Sequence, residues 1–294
     1  MANNIITALF KVYTDQLDEV YKNASLTSVL DGASDLVSQG ANANELVIPK
    51  MTMDGLGDYS RNGGYVGGDV TLTNETVKCN FDRGRMFQVD NMDDAETAGV
   101  AYGRLASEFI RTKVVPELDA FRFATYAGIS GISTVAAAVL STGADVIAAI
   151  AQAYDQMTND EVPEENRYLF ITPALYGLVR DLDTTKSRQV LEQFAGIVKV
   201  PQARFYTAID QLDGKTSGEE AGGYIKDATN GKNINFMIIH KDAVIQFEKH
   251  VAPKIVTPDD NQDADAWKFG YRNVSIADAY ENKVAGIFLH KSTT

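Results

Sequence analysis

Residues 58–99, DYSRNGGYVGGDVTLTNETVKCNFDRGRMFQVDNMDDAETAG, decide the fold. The stretch opens on closely spaced glycines, which supply turns rather than core. Alternation follows: Val70 and Leu72 share one strand face, and after a break Val77, Cys79 and Phe81 repeat the two-residue period. Asp82-Arg83-Gly84 reads as a turn, and Asp93, Asp94 and Glu96 then mark a helix start, where carboxylates meet the positive end of the dipole. Upstream, Glu45–Met53 carries the same strand pattern. Between the two strand runs, residues 54–68 hold glycine at 55, 57, 63, 64, 67 and 68, the composition of a mobile tip. An isolated pair of strands is marginal in water. A hairpin arm this long therefore needs a surface to lie on, and its chain is built to grip a neighbour.

Working outward, the helix that starts near Asp93 places Ala95, Ala98, Tyr102, Leu105 and Phe109 on one stripe, widened by Ala106 and Ile110. Pro116 interrupts that pattern, because it cannot donate to the Thr112 carbonyl, so a kink or restart is expected there. Leu118, Phe121 and Tyr126 continue the apolar face, and a helix over 93–127 would span ~50 Å at about 1.5 Å per residue. Before the hairpin, Ile6, Leu9, Phe10, Tyr13, Leu17, Val20 and Tyr21 recur at helical steps, and 31–44 is small and polar, like a linker. After the long helix, 141–255 reads as a separate α/β unit. It has a helix over 145–157, a buried strand over 168–171, and a helix opened by Thr172-Pro173. Further strands are expected over 204–209, 235–239 and 244–248, with an exposed loop over 213–232. The last stretch, 267–290, is again strand-like.

Composition and motifs exclude more than they assign. The 294 residues carry a formal charge of −13, which argues against sequence-specific nucleic-acid binding. Weak, screened contacts with enclosed DNA remain compatible with it. The single cysteine, Cys79, excludes an internal disulfide and reads as a half-buried strand residue. The opening residues lack a basic stretch followed by an apolar one, so they are not read as a signal peptide, and the Asn-x-Ser/Thr matches at Asn23, Asn74 and Asn273 carry no weight. The Ala-rich run 129–153 contains Asp145 and falls short of a membrane span.

Gly214-Lys215-Thr216 is no phosphate loop, since Ile209 stands where its leading glycine would fall. His240, His250 and His290 lack metal-site spacing, and His240 reads as a sheet-edge residue. Asp259, Asp260, Asp263 and Asp265 could hold a hard cation but match no calcium-loop spacing, and read as a solvated connection. Asp93, Asp94 and Glu96 are explained by helix capping rather than acid–base work. No metal or cofactor site and no catalytic set emerges.

Three blocks carry a resemblance to a known family. They are DYSRNGGYVGGDV, NETV and DRGRMFQVDNMDDAET within 58–97, then EFIRTKVVPELDAFRFATYAG, residues 108–128, then KIVTPDDNQDADAWKFGYRNVSIADAYENKVAGIFLH, residues 254–290. In their order and spacing they resemble the major capsid protein of tailed bacteriophages, with the Hong Kong 97-type fold. The resemblance implies an α+β chain in parts: an N-terminal arm and linker (1–44), an extended hairpin loop (45–90), a peripheral domain with a spine helix (91–140), an axial domain (141–255), and a return to the peripheral domain (256–294). It implies pentamers and hexamers closing an icosahedral shell around double-stranded DNA, located in the virion and assembled in the host cytoplasm, with a portal and no membrane. Where some relatives carry a long scaffolding region ahead of the arm, residues 1–44 leave no room for one, so a separate scaffolding protein is expected.

Candidate subunit contacts are Tyr13 and Tyr21 on the arm, Asp58, Tyr59, Arg61 and Tyr65 at the tip, and Arg83 and Arg85 after it, with Pro116 as a structural residue. One family member joins subunits covalently through a lysine on this loop. No lysine lies between Lys50 and Lys78, and Arg61 cannot serve as a neutral amine, so non-covalent contacts are expected. The rival readings are an encapsulin-type bacterial compartment of the same fold and a hydrolase built on 141–255. The second lacks a nucleophile–base pair.

Overall fold

The computed structural model describes residues 25–32, 38–39, 45–92, 100–135, 137–182 and 184–293. The expected arm helix with Tyr13 and Tyr21, and the helix start at Asp93, Asp94 and Glu96, lie outside these residues. The first sheet has the order β1 (Ser38–Gln39), β2 (Glu45–Met53), β3 (Val70–Lys78). β2 and β3 pair antiparallel along their whole length, from Glu45 opposite Lys78 to Met53 opposite Val70. The expected hairpin is therefore present. β1 is a third strand inside the stretch read as linker, with Ser38 opposite Val47. Two polar residues have no strand pattern to read, and the pairing alone makes them one.

The turn expected at Asp82-Arg83-Gly84 is instead the interior of β4 (Phe81–Asp90). Gly84 answers to close backbone approach rather than to turning: a Cβ there would lie 2.7 Å from the Tyr271 carbonyl oxygen of the next strand. The spine follows as α1 (Val100–Phe109), a π-helical turn (Ile110–Val114) and α2 (Val115–Gly128). The interruption expected at Pro116 thus takes the form of a wider turn immediately before it. The Val115 N–H reaches back to the Ile110 carbonyl, and Pro116 sits in the first turn of α2, where its missing N–H costs least.

The remaining elements are β5 (Ser133–Val135), α3 (Gly143–Asn159), β6 (Arg167–Ile171), α4 (Pro173–Leu182), α5 (Thr185–Glu192), β7 (Gly196–Lys199), β8 (Ile209–Leu212), β9 (Gly223–Lys226), β10 (Ile234–His240), β11 (Val244–Val256), β12 (Ala266–Ala279) and β13 (Ile287–Lys291). The strand expected over 204–209 is displaced. Gln202–Arg204 is a 3₁₀ turn, and Phe205 is a core plug whose ring lies 4.9 Å from that of Phe123, while β8 begins at Ile209. β5, β13, β10, β6 and β7 form one five-stranded sheet in that order, so the closing strand of the chain joins the sheet of the 141–255 unit. β11, β12 and β4 form another sheet, and β8 pairs with β9.

The spine lies between the two large sheets. Phe123 and Tyr126 pack with Phe170, Met237, Ile239 and Leu289 of the five-stranded sheet. Ala106, Ile110, Val114 and Leu118 pack with Phe81, Phe269 and Tyr271 of the three-stranded one. The far face of the five-stranded sheet carries Leu169, Ile171, Phe236 and Ile238, covered by α3, α4 and α5. Covered on both faces, β10 reads as the continuous run INFMIIH rather than as an alternation.

A layer so placed buries charge, and the charge is paired. Asp119, fully buried, accepts from the Ser25 hydroxyl (2.8 Å), the Thr27 hydroxyl (2.9 Å), and the backbone N–H groups of Leu26 and Thr27 (3.1 and 3.3 Å). Arg204 completes the site at 3.3 Å. One turn on, Arg122 donates to Thr27 Oγ1 and pairs with Glu248. Gln246 donates to the Thr27 carbonyl and accepts from Tyr126, whose hydroxyl burial pushes well above its ordinary range. Residues 25–31 are thus pinned to the spine. Asp119→Leu should cost about 3–5 kcal/mol in urea unfolding, because it strands the Arg204 charge and four donors.

His240 ends an inner strand rather than a sheet edge. It is buried, and its Nδ1 accepts from the Asp242 N–H. His290, 1% exposed, stacks on Phe236 and bonds Asn235. Burial lowers both imidazoles from 6.5, so the folded chain favours their neutral forms. Their contribution is full above pH ~6.5 and is lost as pH falls through the lowered values. The urea midpoint should drop between pH 7.5 and 5, and drop less in His290→Phe.

Candidate interaction surface

The hairpin has a buried root and an exposed reach. At the root, Val77 is buried with Ile245 and Ile276. Asn80, in the two-residue gap between β3 and β4, donates to the Ala277 carbonyl (2.7 Å) and accepts from its N–H (3.1 Å). Its side chain continues the ladder where β4 stops. Cys79 beside it is half-buried, and burial pushes its thiol up.

Toward the tip the packing ends. Met51 lies opposite Leu72 and Met53 opposite Val70, so the four side chains share one face, and each is 57 to 68% exposed. Leu56, Tyr65 and Val66 extend this apolar surface onto the tip. A patch of this kind on a projecting element marks an interaction surface. The alternation in the sequence located Val70 and Leu72. Met51 and Met53 join them only through the register.

The tip is more organised than glycine content alone suggests. Ser60 and Gly64 exchange backbone hydrogen bonds at 3.2 and 2.8 Å, Gly64 adopts φ +75°, and Ser60 Oγ accepts from Gly63 N–H. This brings the Tyr59 and Tyr65 rings to 4.9 Å. Asp58 and Arg61 are exposed beside them. At the base, Asp54 Oδ2 accepts from Asp69 N–H, closing the loop.

Arg83 and Arg85 lie elsewhere, on β4. Arg83 pairs with Glu117 at 2.7 Å and donates to the carbonyls of Leu212 and Gly223. Burial raises the Glu117 carboxyl above its usual value against the pull of Arg83. Arg85 donates to the carbonyls of Glu220 and Ala221. Both arginines thus clamp the β8–β9 hairpin and its loop onto the β11–β12–β4 sheet of their own chain. Between β4, the spine and that hairpin runs a groove of about 1240 Å³.

Among the described residues, no three His, Cys, Asp or Glu side chains converge as metal ligands. Of the acidic run, Asp260 accepts from Thr257 Oγ1, and Asp263 pairs with Lys268, which lowers its carboxyl.

No family profile matches the chain, and no curated protein matches it. Solved structures do. A chain from a capsid structure of cyanophage P-SCSP1u is 14% identical, covering 86% of this chain and 84% of its own, with a TM-score of 0.56. A chain from the mature capsid of bacteriophage PhiM1 is 14% identical, covering 86% and 83%, at 0.53. A chain from a virus-like particle of Pyrococcus furiosus is 10% identical, covering 93% and 95%, at 0.58. At these identities the likeness is one of fold, and it runs nearly end to end. The chain has the α+β, Hong Kong 97-type fold of tailed-bacteriophage major capsid proteins.

Proposed function

We propose that this chain is a major capsid subunit that assembles with copies of itself, as pentamers and hexamers, into an icosahedral shell around double-stranded DNA. The observation that carries this reading is the projecting hairpin, with an apolar face that the described residues leave uncovered, on a fold shared over more than four-fifths of capsid chains. Strength comes from many weak contacts repeated by closed symmetry. The role is structural rather than catalytic.

In this reading residues 1–44 are an arm and linker, 45–90 the extended loop, and 91–140 with 256–294 the peripheral domain. Residues 141–255 form the axial domain, with β13 added to its sheet. Tyr13, Tyr21, Asp58, Tyr59, Arg61 and Tyr65 contact neighbouring subunits. Arg83 and Arg85 serve assembly indirectly, by holding the axial hairpin on the peripheral sheet. Pro116 and the π turn before it set the curvature of the spine. A net charge of −13 suits DNA packaged without sequence readout. A scaffolding protein and a portal complete the assembly in the host cytoplasm. No helix among the described residues is long and apolar enough to cross a membrane.

The full chain should form closed shells in negative-stain images and elute far above its monomer mass. The combined variant Met51→Ser, Met53→Ser, Val70→Thr, Leu72→Ser should melt as the parent does. Its shell yield should fall at least about tenfold, since each apolar side chain buried at a contact contributes ~1.5–3 kcal/mol. A chain that stays monomeric at all concentrations overturns the reading.

A further inference from the structure

The sequence holds two Asn-Gly pairs, Asn62-Gly63 at the crown of the hairpin tip and Asn230-Gly231 in the loop between β9 and β10. Such a pair is open to ring closure, because no side chain shields the glycine nitrogen or narrows its dihedrals. That nitrogen can then reach the carboxamide carbon of the asparagine before it. Closure requires the peptide unit between the two residues to turn out of its folded position. The two pairs are alike in sequence and differ in what holds that unit.

At Asn230-Gly231 both ends of the unit are held. The Asn230 carbonyl accepts from Thr207 Oγ1, and Gly231 N–H donates to the Asp227 carbonyl, each at 3.1 Å. Gly231 is also packed, since a Cβ there would collide with the Asp227 carbonyl oxygen and lie 2.9 Å from that of Ala208. The Asp227 carboxylate accepts from the Thr229 and Asn230 N–H groups at 2.7 Å, and its charge opposes loss of a proton from the next nitrogen. The tip is different. Ser60 and Gly64 exchange two hydrogen bonds, which leaves 61–63 as a three-residue loop outside the ladder. Arg61, Asn62 and Gly63 are all exposed. Among the described residues the Asn62-Gly63 unit is bonded only through its N–H, to the exposed Ser60 Oγ at 3.0 Å. A Cβ on Gly63 would meet nothing nearer than that hydroxyl, at 3.4 Å. The adjoining Arg61 cation favours the deprotonated nitrogen that attacks.

We propose that Asn62 is a self-modification site of the free chain. The Gly63 nitrogen bonds to the Asn62 side-chain carbon, and the carboxamide nitrogen leaves as ammonia, carrying the proton that Gly63 gives up through water. Water then opens the five-membered imide at either carbonyl. One opening gives aspartate, and the other gives isoaspartate, which routes the backbone through the side chain. Either product adds a negative charge to a tip that already sets Asp54, Asp58 and Asp69 against Arg61. The proposal is independent of the shell reading, because the reaction needs one chain and water.

The full chain, kept dilute and unassembled at mildly alkaline pH, is incubated in heavy-oxygen water and cleaved after lysine. Peptides 51–78 and 227–232 then report the two pairs separately by mass, and isoaspartate methylation confirms the product. The same incubation in guanidinium gives each pair its unfolded rate, where the two should react alike. Folding should slow Asn230 at least about twentyfold, as expected for two held bonds, and Asn62 no more than about fivefold, as expected for one. Gly63→Ala should abolish most of the label at Asn62 and leave Asn230 unchanged. Equal protection of both pairs by folding overturns the proposal. So does a folded chain that acquires no label at Asn62 while its unfolded form does, or a Gly63→Ala chain labelled as fast as the parent.

Discussion

A helix wedged between two sheets can turn a charge inward only if that charge is paired, and that constraint governs the rest of this molecule. The spine packs Phe123 and Tyr126 on one sheet and Val114 and Leu118 on the other. Its exposed stretch carries Glu108, Arg111 and Lys113, and the faces turned to the sheets are largely apolar. The charges it turns fully inward, Asp119 and Arg122, are buried and so must be paired. Their partners come from three distant parts of the chain: residues 25–27, Arg204, and Glu248. The polar requirement of one helix therefore ties residues 25–27, the turn before β8 and the β11–β12–β4 sheet together. Hydrophobic contact alone would leave their relative positions far less determined.

The same arrangement separates what is fixed from what projects. Both ends of the β-rich framework are stitched at tight points. One is Gly286, where a Cβ would fall 2.6 Å from that of Ala243. Another is the Arg83 and Arg85 clamp on the β8–β9 hairpin. Beyond Val77 and Asn80 the β2–β3 hairpin leaves this framework as an antiparallel ladder. The result is a packed base that carries a reaching, apolar-faced arm.

Much of this was legible in the residues wherever a local period reports burial. The hairpin followed from alternation, α3 from helical spacing, and β6 and β10 from apolar runs. What escaped was decided by distant partners. Gly84 looked like a turn residue, because nothing nearby in sequence announces the Tyr271 carbonyl that excludes a side chain. Phe205 and Tyr206 looked like strand, although Phe205 is spent on the core of the spine. β13 continued a strand-like stretch but pairs in a different sheet from β12. Of the candidate site, Tyr59 and Tyr65 could be picked out as exposed aromatics. The outward role of Met51 and Met53, and the inward role of Arg83 and Arg85, depend on cross-strand register and on a loop more than a hundred residues away.

The π-helical turn at Ile110–Val114 amounts to one residue more than an α-helix would hold over the same rise. At about 100° per residue, that single insertion rotates everything after it relative to everything before it. After the turn, α2 addresses both sheets, Leu118 the three-stranded one and Phe123 and Tyr126 the five-stranded one, while the spine remains one beam. A natural sequence that loses one residue in this segment would keep a longer, more regular helix and lose the phase that turns Asp119 toward Ser25. In this chain, local irregularity keeps the long-range angular register. Lineages sharing the fold are therefore expected to preserve the length of this segment more strictly than its composition.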